Sequence, residues 1–399
     1  MKSILILGAG VIGVTSAYYL AKKGYNVKVL DAAGGPGLIT SFANGSQLSY
    51  SKTHPLSDIE ILKRLPRLIL DKNTPIHIHP NIDLDFIRWG ALFLRECLPK
   101  RSKANAEAVL DIALRSRIAL HALIQEHEIN FDYARRGKLY IFTDGKEFHH
   151  VAKDIDKHKH LGITQRLLDK NSAVELEPAL VDMKQLIEGA VFSDIDESGD
   201  AKKFTEELAR ICAAMGVEFE YNVKISDFRT QDNKVTAVMA GEREYTADKI
   251  ILCLGAESPR LMKKIGIYLP IYPMKGYSIT VPATQMSPEI NLTDEEKRVV
   301  YSKIGDRLRI AGVAEFAGWN YKINRKIIDD MIEVAKTRFP RAGDYSEITE
   351  WTGLRPMTPS TVPITSKSDK YENLYFNTGH GMLGWTLACG SAEKLAGII

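Results

Sequence analysis

The chain opens on a short apolar run over residues 3–7, the pattern that a strand buried on both faces of a parallel sheet requires. Gly8-Ala9-Gly10-Val11-Ile12-Gly13 follows at once, and residues 15–23 then read as a helix with Ala17 and Leu20 turned to the sheet. Gly24 supplies a left-handed helix stop, and residues 26–30 form a second strand closing on Asp31, which completes a βαβ unit. Residues 32–51 have no period and are rich in glycine, serine and asparagine, which predicts an ordered irregular loop. From residue 59 to 167 the pattern is mainly helical, with helices expected over 61–65, 86–98 and 106–127 and one strand over 138–142. Residues 201–215 predict an amphipathic helix, 217–221 a strand, and 250–255 a buried strand ending on Gly255. Antiparallel strands are expected over 271–281 and 307–312, a helix over 324–339 stopped by Pro340, and a strand over 373–377 before a glycine-rich turn and a last helix from Trp385.

Cofactor-type segments therefore recur near both ends of the chain. At 399 residues, two domains are expected, interleaved along the sequence. The partition is 1–58, 190–265 and 340–399 for one unit and 59–189 and 266–339 for the other. A net charge of +3 gives no electrostatic reason to expect nucleic acid, and a small molecule is the better partner. The four cysteines, Cys97, Cys212, Cys253 and Cys389, form no CxxC pair and fit a reducing cytosol. No apolar run of about 18 residues predicts a membrane-spanning helix, and the glycine-bearing first segment lacks a cleavage site of the secretory type.

The Gly8–Gly13 motif gains meaning from its context, a strand before it, a helix after it and Asp31 closing the next strand. Gly8 permits the turn, Gly10 lets a pyrophosphate approach the amides of Val11 and Ile12, and Gly13 lets helix and strand pack. Asp31 accepts ribose hydroxyls and disfavours a 2′-phosphate. FAD and NAD share this fingerprint. Two further stretches favour FAD: the 41–47 loop, with Ser41, Asn44 and Gln47, along which an extended cofactor would run, and Gly379-His380-Gly381-Met382-Leu383-Gly384. Its glycines free the backbone N–H groups of a helix start, whose partial positive charge of about half a unit suits the flavin pyrimidine edge. A turn that merely begins the last helix is the alternative reading.

These motifs, with Met274-Lys275-Gly276-Tyr277-Ser278, Gly353-Leu354-Arg355-Pro356-Met357-Thr358-Pro359 and Leu383 to Ser391, resemble the bacterial D-amino-acid dehydrogenase small-subunit family. That family sits within the FAD-dependent glycine, sarcosine and D-amino-acid oxidase superfamily. The resemblance implies an α/β fold: a Rossmann-like FAD-binding domain with an interleaved α+β substrate domain built on an antiparallel sheet. It implies non-covalent FAD, with Val223 and Gly255 near its adenine and pyrophosphate half. It also implies oxidation of small neutral D-amino acids to 2-oxo acids and ammonia, a quinone as electron acceptor, and a cytoplasmic enzyme attached peripherally to the inner face of the membrane. Glycine, sarcosine or D-hydroxyproline as substrate is the alternative within the same architecture. An NAD-dependent dehydrogenase and a non-catalytic FAD-binding subunit are alternatives of other classes.

An amino acid offers a carboxylate, which a planar guanidinium binds through both oxygens, and Arg355 is the expected partner. Tyr277 is a second expected contact, and Tyr50 and His54 are placed in the same cavity. No side chain is assigned as acid or base, because hydride leaves the substrate α-carbon for the flavin with help from the amine lone pair. His77, His79, His158 and His160 are read as solvated rather than metal-binding, and Met274 and Met382 as packing. Residues 86–95 and 62–72 mix apolar and cationic positions; buried helices are expected there, with a bilayer contact as the alternative.

Overall fold

The computed structural model describes residues 2–59, 61–62, 76–79, 83–156 and 159–399. Ser3–Leu7 lies inside a six-stranded sheet, in the order Ile364–Lys367, Leu374–Thr378, Lys249–Leu252, Ser3–Leu7, Asn26–Leu30 and Glu218–Glu220. All pairings are parallel except that of the Ile364–Lys367 edge. The unbroken apolar run of the first strand is explained by burial on both sides. Ile4 and Ile6 pack beneath the helices Val11–Lys22, Pro99–Glu126, Ala201–Ala214 and Gly384–Ile398, while Leu5 and Leu7 face a second cluster with Phe228, Val238 and Met262.

The other large sheet has nine strands among the described residues, running from Thr349–Met357 through Tyr272–Pro282, Arg307–Phe316, Val299–Ile304, Asn291–Asp294, Lys138–Phe142 and Gly189–Ser193 to Gln165–Leu168. Ile76–Ile78 pairs alongside Arg307–Phe316. Most pairings are antiparallel, but Asn291–Asp294 lies parallel to Lys138–Phe142 and Ile76–Ile78 parallel to Arg307–Phe316. One face carries the helix Arg325–Arg338, against which Tyr277, Ile279 and Ile310 pack. The opposite face meets the irregular loop after Asp31. Thr349–Met357 and Gly189–Ser193 thus enter this sheet.

Several boundaries differ from the periodicity. The helix expected at 86–98 runs Leu84–Glu96 because the Asp83 carboxylate caps it, accepting from Asp85 N at 2.9 Å. The next helix starts at Pro99, whose fixed φ suits a first helical position, rather than at 106. Leu84–Glu96 is also not simply buried. Trp89 and Phe93 enter an aromatic cluster with Tyr272 and Phe316, but Leu84, Ile87 and Leu94 are 78%, 57% and 46% exposed. Residues 63–72 of the other mixed stretch, with the end of its expected helix, and His158 lie outside the described residues. His77 is half-buried and lines a cavity, while His79 is exposed, as the sequence leads one to expect, and bonds Glu315 at 2.8 Å. No helix among the described residues is long and apolar enough to cross a membrane.

The last helix crosses Pro99–Glu126 with backbone against backbone. A Cβ on Gly390 would lie 2.5 Å from the Ile112 carbonyl oxygen and 2.8 Å from Ser116 N, whereas one on Gly397 meets nothing within 4 Å. Gly390→Ala is expected to lower stability by about 1–3 kcal/mol, as overpacking does, and Gly397→Ala to leave it equal or higher by about 0.5–1 kcal/mol. Equal denaturation midpoints for the two variants would contradict this packing.

Candidate active site

Both sheets open on one cavity of about 1500 Å³, larger than the roughly 300–1,000 Å³ of a single small-molecule pocket. Gly8 adopts φ +107°, and its N–H donates to Leu30 O at 2.8 Å. A Cβ on Gly13 would fall 1.8 Å from Gly8 O, so Gly13 serves helix–strand contact and does not line the cavity. Gly10 caps the helix Val11–Lys22 without a side-chain bond, leaving first-turn amides facing the cavity; Ser41 Oγ accepts from Val11 N at 3.1 Å. The Asp31 carboxylate accepts from Ala9 N at 2.5 Å and Ala33 N at 2.7 Å. Burial raises its pKa, against the pull of those two N–H groups, and a carboxylate retains acceptor capacity beyond two bonds. Gly255 lines the same end, at φ +53°.

The loop of residues 40–50 lies across the sheet, and each strand it passes reaches up to it. Ser278 Oγ donates to Ala43 O, Arg309 Nη1 to Asn44 O and Ser302 Oγ to Gly45 O, at 2.7, 3.0 and 3.0 Å. Asn44 also accepts from Ser46 N, and Gln47 Nε2 donates to Leu292 O and Tyr301 O, so these amides are partly committed to the loop itself. Facing it is the turn at residues 379–384, with Gly379 at φ +79° and Gly381 at φ +55°. The helix Gly384–Ile398 starts there with no side-chain cap, so its positive end points into the cavity lined by Gly379 to Gly384. His380 is buried, pairs with Ser391 Oγ at 2.9 Å and is pulled by burial down to about 3; it stays neutral and braces the turn.

Arg355 stands on Thr349–Met357 and passes over Gly276, where a Cβ would lie 2.3 Å from the guanidinium carbon. Its Nη1 donates to Val313 O at 3.0 Å, on the bulge where Val313 takes φ +53°. Burial pulls its pKa down to about 10, which leaves it charged at neutral pH, and no carboxylate among the described residues pairs with it. Tyr277 also lines the cavity, but strand alternation sets it on the opposite face from Gly276, and its hydroxyl donates to Glu315. His54 is exposed on the cavity wall. Tyr50 is withdrawn from the cavity: it is fully buried, with its N–H on Asp196 at 2.7 Å and its hydroxyl directed at Glu197. Val223 is likewise packed in the apolar cluster behind the first sheet, its N–H donating to Asp31 O at 2.8 Å.

Many lining residues carry no signal in the sequence, and two of them stand out. Trp351 lies beside Arg355 on the same strand. Lys138 is buried at the far end, five strands away, or about 24 Å at the usual strand spacing. Its Nζ donates to Ser49 Oγ at 2.9 Å, and burial pulls its pKa down to about 8. Only tertiary placement distinguishes this lysine from a solvated one.

Against known proteins, the family model described as FAD dependent oxidoreductase matches residues 3–398. The D-amino acid dehydrogenase of Dechloromonas aromatica (strain RCB) is 40% identical over 99% of this chain and 96% of its own length. That of Vibrio vulnificus (strain CMCP6) is 36% identical over 100% and 96%. Among solved structures, glycine oxidase from Bacillus cereus ATCC 14579 superposes with a TM-score of 0.76 at 21% identity, covering 99% of this chain and 94% of that one. L-proline dehydrogenase from P. horikoshii gives 0.77 at 16%, covering 99% and 92%. FAD also fits the residues present: the helix starts at Gly10, where Ser41 takes one amide, and at Gly384 face one elongated cavity, with an acidic Asp31 at one end. The helix starts, the long cavity and the sequence matches agree, and the chain belongs to the FAD dependent oxidoreductase family, with FAD as its cofactor.

Proposed function

We propose that this protein oxidises D-amino acids to 2-oxo acids and ammonia and passes the electrons to a quinone-type acceptor. The observation that carries the reading is Arg355, a half-buried guanidinium in the cavity, braced by backbone carbonyls and without a carboxylate partner among the described residues. Partial desolvation makes an unpaired charge costly, so the site favours an anionic ligand group, and a bidentate carboxylate suits it. The D-amino acid comes from the names of the relatives at 36–40% identity. FAD, when bound, supplies the two-electron acceptor. The substrate loses hydride from its α-carbon and a proton from nitrogen, giving the imine, to which water adds as ammonia leaves. Arg355 orients the carboxylate, the helix start at Gly384 favours negative charge developing beside it, and neutral His380 holds that turn in place. Cofactor contacts are proposed for the backbone of Gly8 to Ile12, Asp31, Ser41 and Gly379 to Gly384.

A peripheral membrane contact is proposed on Leu84–Glu96. Leu84, Ile87 and Leu94 recur at one-turn and two-turn spacing and are exposed, with Arg88 and Arg95 beside them, a pattern suited to an anionic lipid surface.

Anaerobic mixing of the FAD-loaded protein with D- and L-amino acids and secondary amines is expected to bleach the flavin band with D-amino acids; bleaching by L-amino acids alone, or by none, would refute the assignment. Arg355→Ala should retain FAD and lose at least about 30-fold in kcat/KM for carboxylated substrates, the cost of removing one member of a buried charge pair. Ile87→Glu with Leu94→Glu should abolish sedimentation with anionic vesicles while leaving dye-linked turnover intact. Unchanged sedimentation would remove this helix from the membrane contact.

A further inference from the structure

Thr349–Met357 and Tyr272–Pro282 pair with Trp351 opposite Ser278, Gly353 opposite Gly276 and Arg355 opposite Met274. Directly opposed residues share a face of the sheet. Trp351, Gly353 and Arg355 therefore project to the side on which Ser278 bonds the 40–50 loop, which is the cavity side. At the central rung both residues are glycine, and each missing side chain is replaced by a neighbour. A Cβ on Gly353 would lie 2.4 Å from Trp351 Cζ2 and 2.5 Å from Cη2, and a Cβ on Gly276 would lie 2.3 Å from the Arg355 guanidinium carbon. The indole thus lies over Gly353 and the cation over Gly276. Opposed Cβ positions are about 4.5–5.5 Å apart, so ring and guanidinium are neighbours on the floor of the cavity.

We propose that Trp351 is the wall against which the substrate side chain packs, so that the site selects D-amino acids with branched or larger apolar side chains over D-alanine. This rests on the reading of Arg355 as the carboxylate anchor. With the carboxylate on the guanidinium, a single methyl group is too short to cover the indole, whereas a leucine-sized side chain reaches it. Trp351 is half-buried and lines the cavity. The indole N–H groups of Trp89, Trp319 and Trp385 donate to backbone carbonyls. That of Trp351 has no such bond among the described residues, so the ring is held by its place over Gly353 rather than by a polar tie.

The test compares Trp351→Ala, Trp351→Phe and Gly353→Ala with the parent, all FAD-loaded, using a dye acceptor. For Trp351→Ala, kcat/KM for D-leucine relative to D-alanine is expected to fall by about tenfold or more, the size of effect expected when apolar contact is lost from a pocket. The change should lie mainly in the KM for D-leucine, with the KM for D-alanine within about twofold. Trp351→Phe should recover part of the ratio, and Gly353→Ala, which displaces the ring, should reproduce the loss. Flavin-band titrations provide a readout without turnover: benzoate should bind more weakly to Trp351→Ala and acetate equally well. An unchanged D-leucine to D-alanine ratio, or equal losses for benzoate and acetate, would overturn the proposal. Failure of the parent to oxidise either amino acid would instead refute the deamination reading, and the benzoate and acetate titrations would still decide the role of Trp351.

Discussion

The structure depends on how an irregular loop is held between two sheets. Apart from the two-residue strand Gln47–Leu48, which pairs with Glu197–Ser198, this segment has no secondary structure, and its backbone carbonyls must find donors elsewhere. Here the donors are side chains of successive strands: Ser278 for Ala43, Arg309 for Asn44 and Ser302 for Gly45. Thr40 reaches back to Leu354 O, one residue from Arg355, and Lys138 meets Ser49 at the other end. The loop is therefore fastened strand by strand and sets the spacing between the parallel sheet that presents the Gly8–Gly13 turn and the sheet that presents Arg355. The cavity is what this spacing leaves open.

A second fastening closes the site from the opposite side. Met357, two residues beyond Arg355, forms an antiparallel bridge with His380 in the turn before the last helix. The strand that carries the guanidinium and the turn that carries the helix start are thereby tied through backbone, and the buried imidazole locks the turn through Ser391. The proposed carboxylate anchor and the proposed electrostatic partner thus belong to one tied unit, as preorganised catalysis requires.

The legible parts of this site were local. Gly8, Gly10 and Gly13 act through turn geometry encoded within six residues, and Arg355 and the residue 379–384 turn sit in short motifs whose backbone needs are visible in their glycines. The illegible parts depend on register. Tyr277 neighbours Gly276 in sequence and lines the cavity, but alternation sets it on the other face of its strand and commits its hydroxyl to Glu315. Tyr50 follows the loop directly, but Asp196, 146 positions away, takes its N–H and draws it inward. Trp351 gains meaning only when Gly353 and Gly276 are known to oppose one another. The strands Asn291–Asp294 and Val299–Ile304 carry Asp, Ser, Lys and Asn among their apolar residues, and their place in the sheet is fixed by pairing with distant neighbours.

The interleaving of the chain also constrains its birth. Ser3 bonds Asp248, 245 residues away, and the first strand acquires its neighbour at Lys249–Leu252 only after most of the chain exists. Leu374–Thr378 joins later still. During synthesis the N-terminal βαβ unit must wait with both strand edges open, one for Glu218–Glu220 and one for Lys249–Leu252, and edges of this kind invite pairing with other chains. In the proposed site both helix starts embrace the flavin nucleotide, so the cofactor would be gripped fully only at the end of this sequence of events. On that proposal flavin supply would act as a late clamp on folding, stabilising the completed chain by mass action and leaving unfinished chains exposed to quality control.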